Sequence, residues 1–330
     1  MIKYLGSKRL LLGPILEAVA GFEGARTVAD LFSGTSRVGH ALKRAGYFVL
    51  ANDHNAFAHT LARCYVQADA DRLRAEAEKL IAELDRLPGR AGWFTETYCE
   101  RSRFFQPHNG ARIEAVREAI AAKSLDPVLE AVLLTSLMEA ADRVDSTTGV
   151  QMAYLKSWAP RASAELHLRL PAILPGPGEA NALDALEAAR KLEADVAYVD
   201  PPYNQHSYLG NYHIWETLVR WDEPETYGVA CKRVDVRERR SAFNGRRTMR
   251  DALRAVIAEC RSRHLVVSFN DEGFVTRDEL VEWLSERGEV RVADFDFKRY
   301  VGAKIGIHNP AGERVGTVGR LHNTERLFVV

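Results

Sequence analysis

The sequence predicts an α/β chain: a mostly parallel, twisted sheet with an antiparallel hairpin at one edge and a long helical insertion. Three observations carry this. Two short apolar runs that close on acids, "TVAD" at Asp30 and "YFVLAND" at Asp53, flank an amphipathic stretch; this is a β-α-β unit and implies parallel strands. Helical periodicity then interrupts the alternation from Asn55 to Arg143. The chain ends in two strand-like runs, "EVRVADFDFKRY" and "RLFVV", with no helix between them, so they are expected to pair antiparallel.

In chain order, "TVADLFSG" (Thr27 to Gly34) is a strand followed by a small-residue turn. "RVGHALKRAG" places Val38, Leu42 and Ala45 on one helical face and stops at Gly46. In the insertion, "DADRLRAEAEKLIAELDRL" is an amphipathic helix ended by Pro88-Gly89, and "NGARIEAVREAIAAK" is a second. "LDPVLEAVLLTSLMEAADRV" is a third, with Asp126 as N-cap and Pro127 at the first helical position. A loop rich in Pro and Gly, "LPAILPGPGEA", leads out. The chain thus divides into residues 1–68 with 176–330, which carry the sheet, and the helical insertion 69–175. Alternation resumes: "ALDALEAARKLEA" feeds "DVAYVD", and "TMRDALRAVIAECRSR" feeds "HLVVSFN". "TRDELVEWLSERG" carries a capping box, Thr276 with Glu279, and stops at Gly288.

Lys+Arg and Asp+Glu balance at 45 each, so whole-chain charge favours no partner, and a nucleic-acid surface has to be local. Cys64, Cys99, Cys231 and Cys260 form no CxxC and stand beside no histidine at zinc-ligand spacing. We expect reduced thiols in a cytoplasmic protein and no metal. "MIKYLGSKRLLLG" lacks the long apolar core of a signal peptide, and no apolar run approaches the ~20 residues that span a bilayer, so no membrane partner is expected.

The chemistry points to Asp200-Pro201-Pro202-Tyr203, just past a buried strand. Proline fixes φ and has no N–H, so two in sequence make a stiff turn. Such a turn holds the Asp200 carboxylate and the Pro201 carbonyl as paired acceptors for an exocyclic amine, and Tyr203 offers a face for a base. That suits a flipped-out nucleobase. In "DLFSGTSRVG", Gly34 with Ser33, Thr35 and Ser36 lets backbone approach a ligand, although a plain strand–helix turn explains the segment too. Asp53 suits a ribose diol or a helix N-cap; together the two segments favour an adenosine-type cofactor.

"CKRVDVRERRSAFNGRRTMR" concentrates Lys232, Arg233, Arg239, Arg240, Arg246 and Arg247 soon after this turn. Phosphate neutralisation is one reading and a solvated charged helix face the other. Arg101 and Arg103 flank aromatics in the insertion and, with "DSTTG", offer groups that read base edges. His206 and His213 read as ordinary polar contacts, Trp215 and Trp221 as core, and Glu216 as a brace for the turn. "KRYVGAKIGIHNP" (Lys298 to Pro310) is a candidate contact loop.

At these residues a family resemblance appears. "DPPY" after a strand resembles the catalytic motif of amino-group methyltransferases that use S-adenosylmethionine, and "DLFSGTSRVG" resembles their cofactor motif. "KYLGSK" (Lys3 to Lys8) resembles the motif that precedes it in the Dam-like, D12 (alpha-type) class of DNA adenine-N6 methyltransferases. The motif order is similar to that class, and "DPPYNQHSYLGNYHIWETL" is most similar to members that accompany restriction enzymes. The resemblance spans nearly the whole chain. It implies a Rossmann-like methyltransferase fold, S-adenosyl-L-methionine as cofactor, residues 69–175 as target-recognition region, and double-stranded DNA as partner with a cognate restriction endonuclease.

The roles it implies are catalytic for Asp200, Pro201, Pro202 and Tyr203. Lys8, with Tyr4 nearby, would meet the methionine carboxylate. Asp30, Phe32 and Gly34, with Ser33 and Thr35, would line the methionyl end. Asp53 would bind the ribose and Asp184 the adenine amine, with Asn181 as rival. Ser36 stands where many relatives have glycine; if that position needs positive φ, we expect a slightly different turn. Cytosine N4 or adenine in structured RNA would keep the chemistry and change the target. A non-catalytic binding module is disfavoured by intact Asp200 and Tyr203, and an NAD-dependent oxidoreductase by the incomplete glycine fingerprint.

Overall fold

The elements that carry the sheet begin with α1 (Leu12–Ala20), β1 (Thr27–Asp30), α2 (Arg37–Arg44), β2 (Phe48–Asn52) and α3 (Ala56–Ala62). The helical stretch follows as α4 (Ala70–Leu84), the single turn α5 (Trp93–Thr95), α6 (Pro107–Ala122) and α7 (Pro127–Val144). The chain returns to the sheet through β3 (Glu179–Asn181), α8 (Ala185–Lys191) and β4 (Val196–Val199). Then come α9 (Tyr208–Asn211), α10 (His213–Arg220), β5 (Thr226–Tyr227), β6 (Lys232–Arg233), α11 (Thr248–Glu259), β7 (His264–Asn270) and α12 (Arg277–Ser285). β8 (Arg291–Lys298), β9 (Ile307–His308), β10 (Arg314–Gly316) and β11 (His322–Val329) complete the chain. This computed structural model describes residues 1–203, 205, 207–298, 307–308, 314–316 and 322–330.

Several ends form as their residues dictate. Asp126 caps α7 by accepting from Val128 N (2.9 Å) and Leu129 N (3.4 Å). Thr276 and Glu279 form the reciprocal capping box of α12. Gly46, at φ +95°, follows the end of α2 in the left-handed region. Asp69 caps α4, a role its sequence context did not single out.

Seven strands form one sheet in the order β3-β2-β1-β4-β7-β11-β8. The first five run parallel, and β11 pairs antiparallel with both β7 and β8. The expected edge pair is therefore present, with the last strand slotted inside β8. Helices α8, α11 and α12 cover one face of the sheet, and α1 and α2 the other. Covering both faces is why β4 is buried at every position. The helices of the insertion build a third core together with α3 and α10, so they pack directly against the segment that follows the DPPY turn. Trp215 is buried in that core and Trp221 packs at its margin.

Candidate active site

Chain order reverses between β1 and β4, and ligands of open parallel sheets sit beyond the carboxyl ends of strands at such a point. Asp30 closes β1 and Asp200 follows β4, so the sheet brings two carboxylates to one crevice. Tyr4, Lys8, Asp30, Phe32, Ser33, Gly34, Thr35 and Asp53 line it, as do Asp200, Pro201 and Pro202. Residues far apart in sequence thus meet at one crevice.

The turn after β1 is held by small polar residues. Ser33 N donates to Asn52 O (2.9 Å), Asn52 N donates to Ser33 Oγ (2.9 Å), and that hydroxyl donates to Asp30 O (3.1 Å). Gly34 has φ +51°, and a Cβ there would lie 3.4 Å from the Tyr4 ring. Ser36 has φ +57° and is fully buried, its hydroxyl without a partner among the described residues. The altered turn expected at Ser36 does not occur; the serine takes the left-handed conformation itself.

Asp53 accepts from Gly34 N (3.0 Å) and Asn55 N (2.9 Å), so its carboxylate is fixed at the rim. Asp30 is the opposite case. It is 1% exposed, and neither carboxylate oxygen has a well-formed hydrogen bond among the described residues; only weak, long approaches from Ser33 and the Gly39 N–H oppose the rise in its pKa. Burial first, then the charges of Asp200 and Asp53, push its pKa up to about 8.

One assignment needs correction. Asp184 is exposed and caps α8, accepting from Leu186 N (2.9 Å), whereas its neighbours Leu183 and Ala185 line the crevice. A short polar residue ahead of a helix is drawn to the free N–H groups. Its rival Asn181 also turns to backbone, that of the neighbouring β2, donating to Ala51 O (3.5 Å). Asn52, which the motifs did not pick out, does the local work: it accepts from Leu183 N (2.9 Å) and donates to Leu183 O (3.2 Å) and Leu31 O (3.2 Å).

On the DPPY side, Lys8 is buried and its Nζ lies 3.0 Å from Asp200 Oδ1 and 3.3 Å from Glu325 Oε2. This differs from the expected pairing with a cofactor carboxylate. Burial opposes the Lys8 charge, but Asp200 and Glu325 outweigh it and hold the ammonium above its ordinary range. Burial lifts Asp200, Lys8 pulls it back and Glu325 lifts it again, leaving it at about 6. The Tyr203 ring sits edge-on to Phe269 at 6.3 Å, and its carbonyl accepts from Phe274 N (3.1 Å). Tyr203 does not line the crevice floor; Lys8 Nζ lies 5.8 Å from its ring centre. Tyr4 stacks on Tyr208 (5.0 Å) and Tyr212 (4.6 Å), which ties the N-terminal motif to α9.

Helix α10 is braced from within. His213 Nε2 contacts Gln151 O (3.0 Å), Gln151 Oε1 accepts from Ile214 N (2.8 Å), and Glu216 accepts from Phe57 N (3.1 Å). His213 is thus a packed polar contact, as expected, whereas Glu216 ties α10 to α3 and not to the DPPY turn for which it was expected as a brace. His206 and nearly all of the Lys298 to Pro310 stretch lie outside the described residues.

The basic segment is not a helix face: β5 and β6 form a hairpin, followed by two short turns at Val234–Arg237 and Ala242–Asn244. Its arginines divide sharply. Arg233 is 1% exposed and makes bonds to Asp222 (2.6 and 2.8 Å) and Asp235 (3.0 Å). As an expected DNA contact it is corrected, because its charge is spent inside the protein. Arg239 pairs with Glu216 (2.8 Å) and Asp235 (3.4 Å). Arg240, Arg246 and Arg247 are exposed, Lys232 is half-buried, and none of the four has an ion pair among the described residues. In the insertion, exposed Arg101 reaches Thr226 (3.3 Å), while Arg103 donates to Lys156 O (2.8 Å) and lies over Trp158 (4.7 Å). The segment also returns to the crevice: Phe243 meets Phe32 edge-on at 4.9 Å, and Ser241 lines the wall.

All four cysteines are free and buried. Among the described residues no cluster of His, Cys, Asp and Glu could hold a metal, and no helix is long and apolar enough to cross a membrane.

The sequence model of the family described as D12 class N6 adenine-specific DNA methyltransferase matches residues 4–277. The chain is similar to Type II methyltransferase M.FokI of Planomicrobium okeanokoites, 31% identical over an alignment of 325 residues that covers 91% of this chain and 50% of that protein. Modification methylase StsI of Streptococcus sanguinis is 28% identical, over 92% of this chain and 50% of its own length. Type II methyltransferase M.NlaIII of Neisseria lactamica is 28% identical, over 99% of this chain and 100% of its own length. The chain therefore spans about half of the first two relatives and all of the third.

Proposed function

We propose that this chain, which belongs to the D12 class N6 adenine-specific DNA methyltransferases, methylates adenine N6 in double-stranded DNA as the modification half of a restriction-modification pair. The single observation that carries this is the crevice at the strand reversal, where Asp200, held by two prolines, faces an unpartnered Asp30.

The residues fit S-adenosylmethionine. A buried carboxylate with two free oxygens calls for a cationic donor, which the cofactor's amino group offers to Asp30. Asp53 would take the ribose, and Phe32 and Leu183 offer apolar walls. Because Lys8 is engaged by Asp200 and Glu325, the carboxylate end falls to Arg37, which lines the same crevice and has no ion pair among the described residues. When bound, the cofactor supplies an electrophilic methyl group on a sulfonium.

The chain's own residues position the nucleophile. An adenine amine is weak because its lone pair is delocalised into the ring. Asp200 and the Pro201 carbonyl accept its two N–H groups, which favours a pyramidal nitrogen with its pair aimed outward. The gain exists mainly in the transition state. Asp200 is ionised at neutral pH, with a pKa of about 6, and takes a proton only after the nitrogen has become cationic. Tyr203, next to Asp200 in the turn, and half-buried Tyr208, which lines the crevice, offer π faces to the extruded base. Arg240, Arg246, Arg247 and Lys232 are assigned to the phosphates, and residues 69–175, with Arg101 and Arg103, to target recognition.

Incubation with tritiated S-adenosylmethionine and duplex DNA, with RNA as a parallel arm, tests this. Label is expected in N6-methyladenine of DNA. Label only in RNA overturns the substrate, and label in neither overturns the activity.

A further inference from the structure

We propose that Glu325 is a positioning residue for this transfer: by sharing Lys8 with Asp200 it keeps the Asp200 carboxylate available to the target amine. The inference rests on the role given to Asp200 above. Glu325 comes from β11, the antiparallel strand slotted beside β7. Asn270, at the end of β7, donates to its Oε1 (3.0 Å) and aims its Oε2 at Lys8 (3.3 Å). Lys8 Nζ in turn lies 3.0 Å from Asp200 Oδ1. One buried ammonium thus faces two carboxylates, a group of net charge −1.

The arrangement decides how Asp200 behaves. With Asp200 as its sole partner, Lys8 would form a closed neutral pair and depress the acid. With Glu325 present, part of that attraction is diverted and a second negative charge faces Asp200. Lys8 is the only cation within ion-pair distance of Asp200 among the described residues. Asp30 faces it from β1 and Tyr198 from β4, while Tyr4, Tyr203 and Tyr208 complete its surroundings. In the reaction the nitrogen lone pair forms the N–C bond as the S–C pair returns to sulfur. One N–H bond of the cationic nitrogen then breaks, and its proton passes to Asp200. Lys8 stays protonated throughout.

Glu325→Gln removes the charge and keeps the shape. Two readouts follow: kcat against pH at saturating DNA and cofactor, and the Asp200 carboxyl titration by carbon-13 NMR, assigned by its loss in Asp200→Asn. Both the acid limb and the titration, near 6 in the wild type, are expected to move down by about half a pH unit or more, with KM unchanged. Glu325→Asp should return both toward the wild type. An unmoved or raised limb in a folded variant overturns the proposal. If Glu325→Gln does not fold, Glu325→Ala, which also removes the charge, is judged by the same downward shift. Wild-type protein that transfers no methyl would overturn the role of Asp200 instead, and the NMR titration would still decide for or against Glu325.

Discussion

The two sides of the crevice handle charge in opposite ways. On the cofactor side Asp30 is buried with no well-formed hydrogen bond, and Ser36 holds a left-handed conformation with its hydroxyl unpaired, among the described residues. On the DPPY side charges are met internally: Lys8 by Asp200 and Glu325, Arg233 by Asp222 and Asp235, Arg239 by Glu216. An unmet buried polar group costs stability until a ligand meets it, whereas a compensated one holds its shape alone. The contrast points to a cofactor side completed by its ligand and a DPPY side preorganised for a neutral base.

The largest test of this contrast is on the compensated side. Arg233→Ala removes a buried guanidinium from Asp222 and Asp235, which are partly exposed and keep Arg220 and Arg239 as partners, and urea denaturation is expected to show a loss of about 2–3 kcal/mol. The double change Arg246→Ala with Arg247→Ala, in exposed residues, should leave stability within about 0.5 kcal/mol. It should instead lower the salt slope of DNA binding by about 2. A stable Arg233→Ala protein that only loses DNA would erase the distinction.

Asp30→Asn is expected to weaken cofactor binding by about 10- to 100-fold, the loss of a charge-assisted bond, read by calorimetry. Without cofactor the same change should stabilise. The Asp30 pKa is raised in the folded state to about 8, so its contribution is full below the unfolded value near 4 and is lost as pH rises through 8. The gain in Tm should therefore be absent near pH 4 and greatest above pH 8. A gain independent of pH would contradict an unmet carboxylate.

The smallest effect is expected at Ser36. Ser36→Gly relieves the left-handed strain and removes an unpaired hydroxyl, and no side-chain cap is lost because Ser36 makes none. Net of the glycine entropy, the gain should be about 1 kcal/mol, or roughly 2 °C in Tm. A loss of stability would mean the serine holds the turn through a contact of its own.

Which residues could be read from the sequence follows the same division. Local chemistry was legible: strand tips at Asp30 and Asp53, caps at Asp126 and Thr276, and the stiff turn at Asp200 all report themselves through neighbours in the chain. Long-range pairing was not. Glu325 reads as one acid in a terminal strand; only the slotting of β11 beside β7 brings it to Lys8. Arg233 looks like any residue of a basic run, and Asp222, which shares its charge, lies ahead of the hairpin and meets it only once the hairpin folds back. Asp184 was misread for a local reason, since an acid before a helix serves a cap as readily as a ligand.

The central claim is that Asp200 acts on the target amine and not on the cofactor. It is tested most directly by Asp200→Ala, with cofactor affinity and single-turnover methylation measured on the same protein. Methylation is expected to fall by about 100-fold or more while cofactor affinity stays essentially unchanged. Turnover near that of the wild type, or a loss fully explained by failure to bind cofactor, would contradict it.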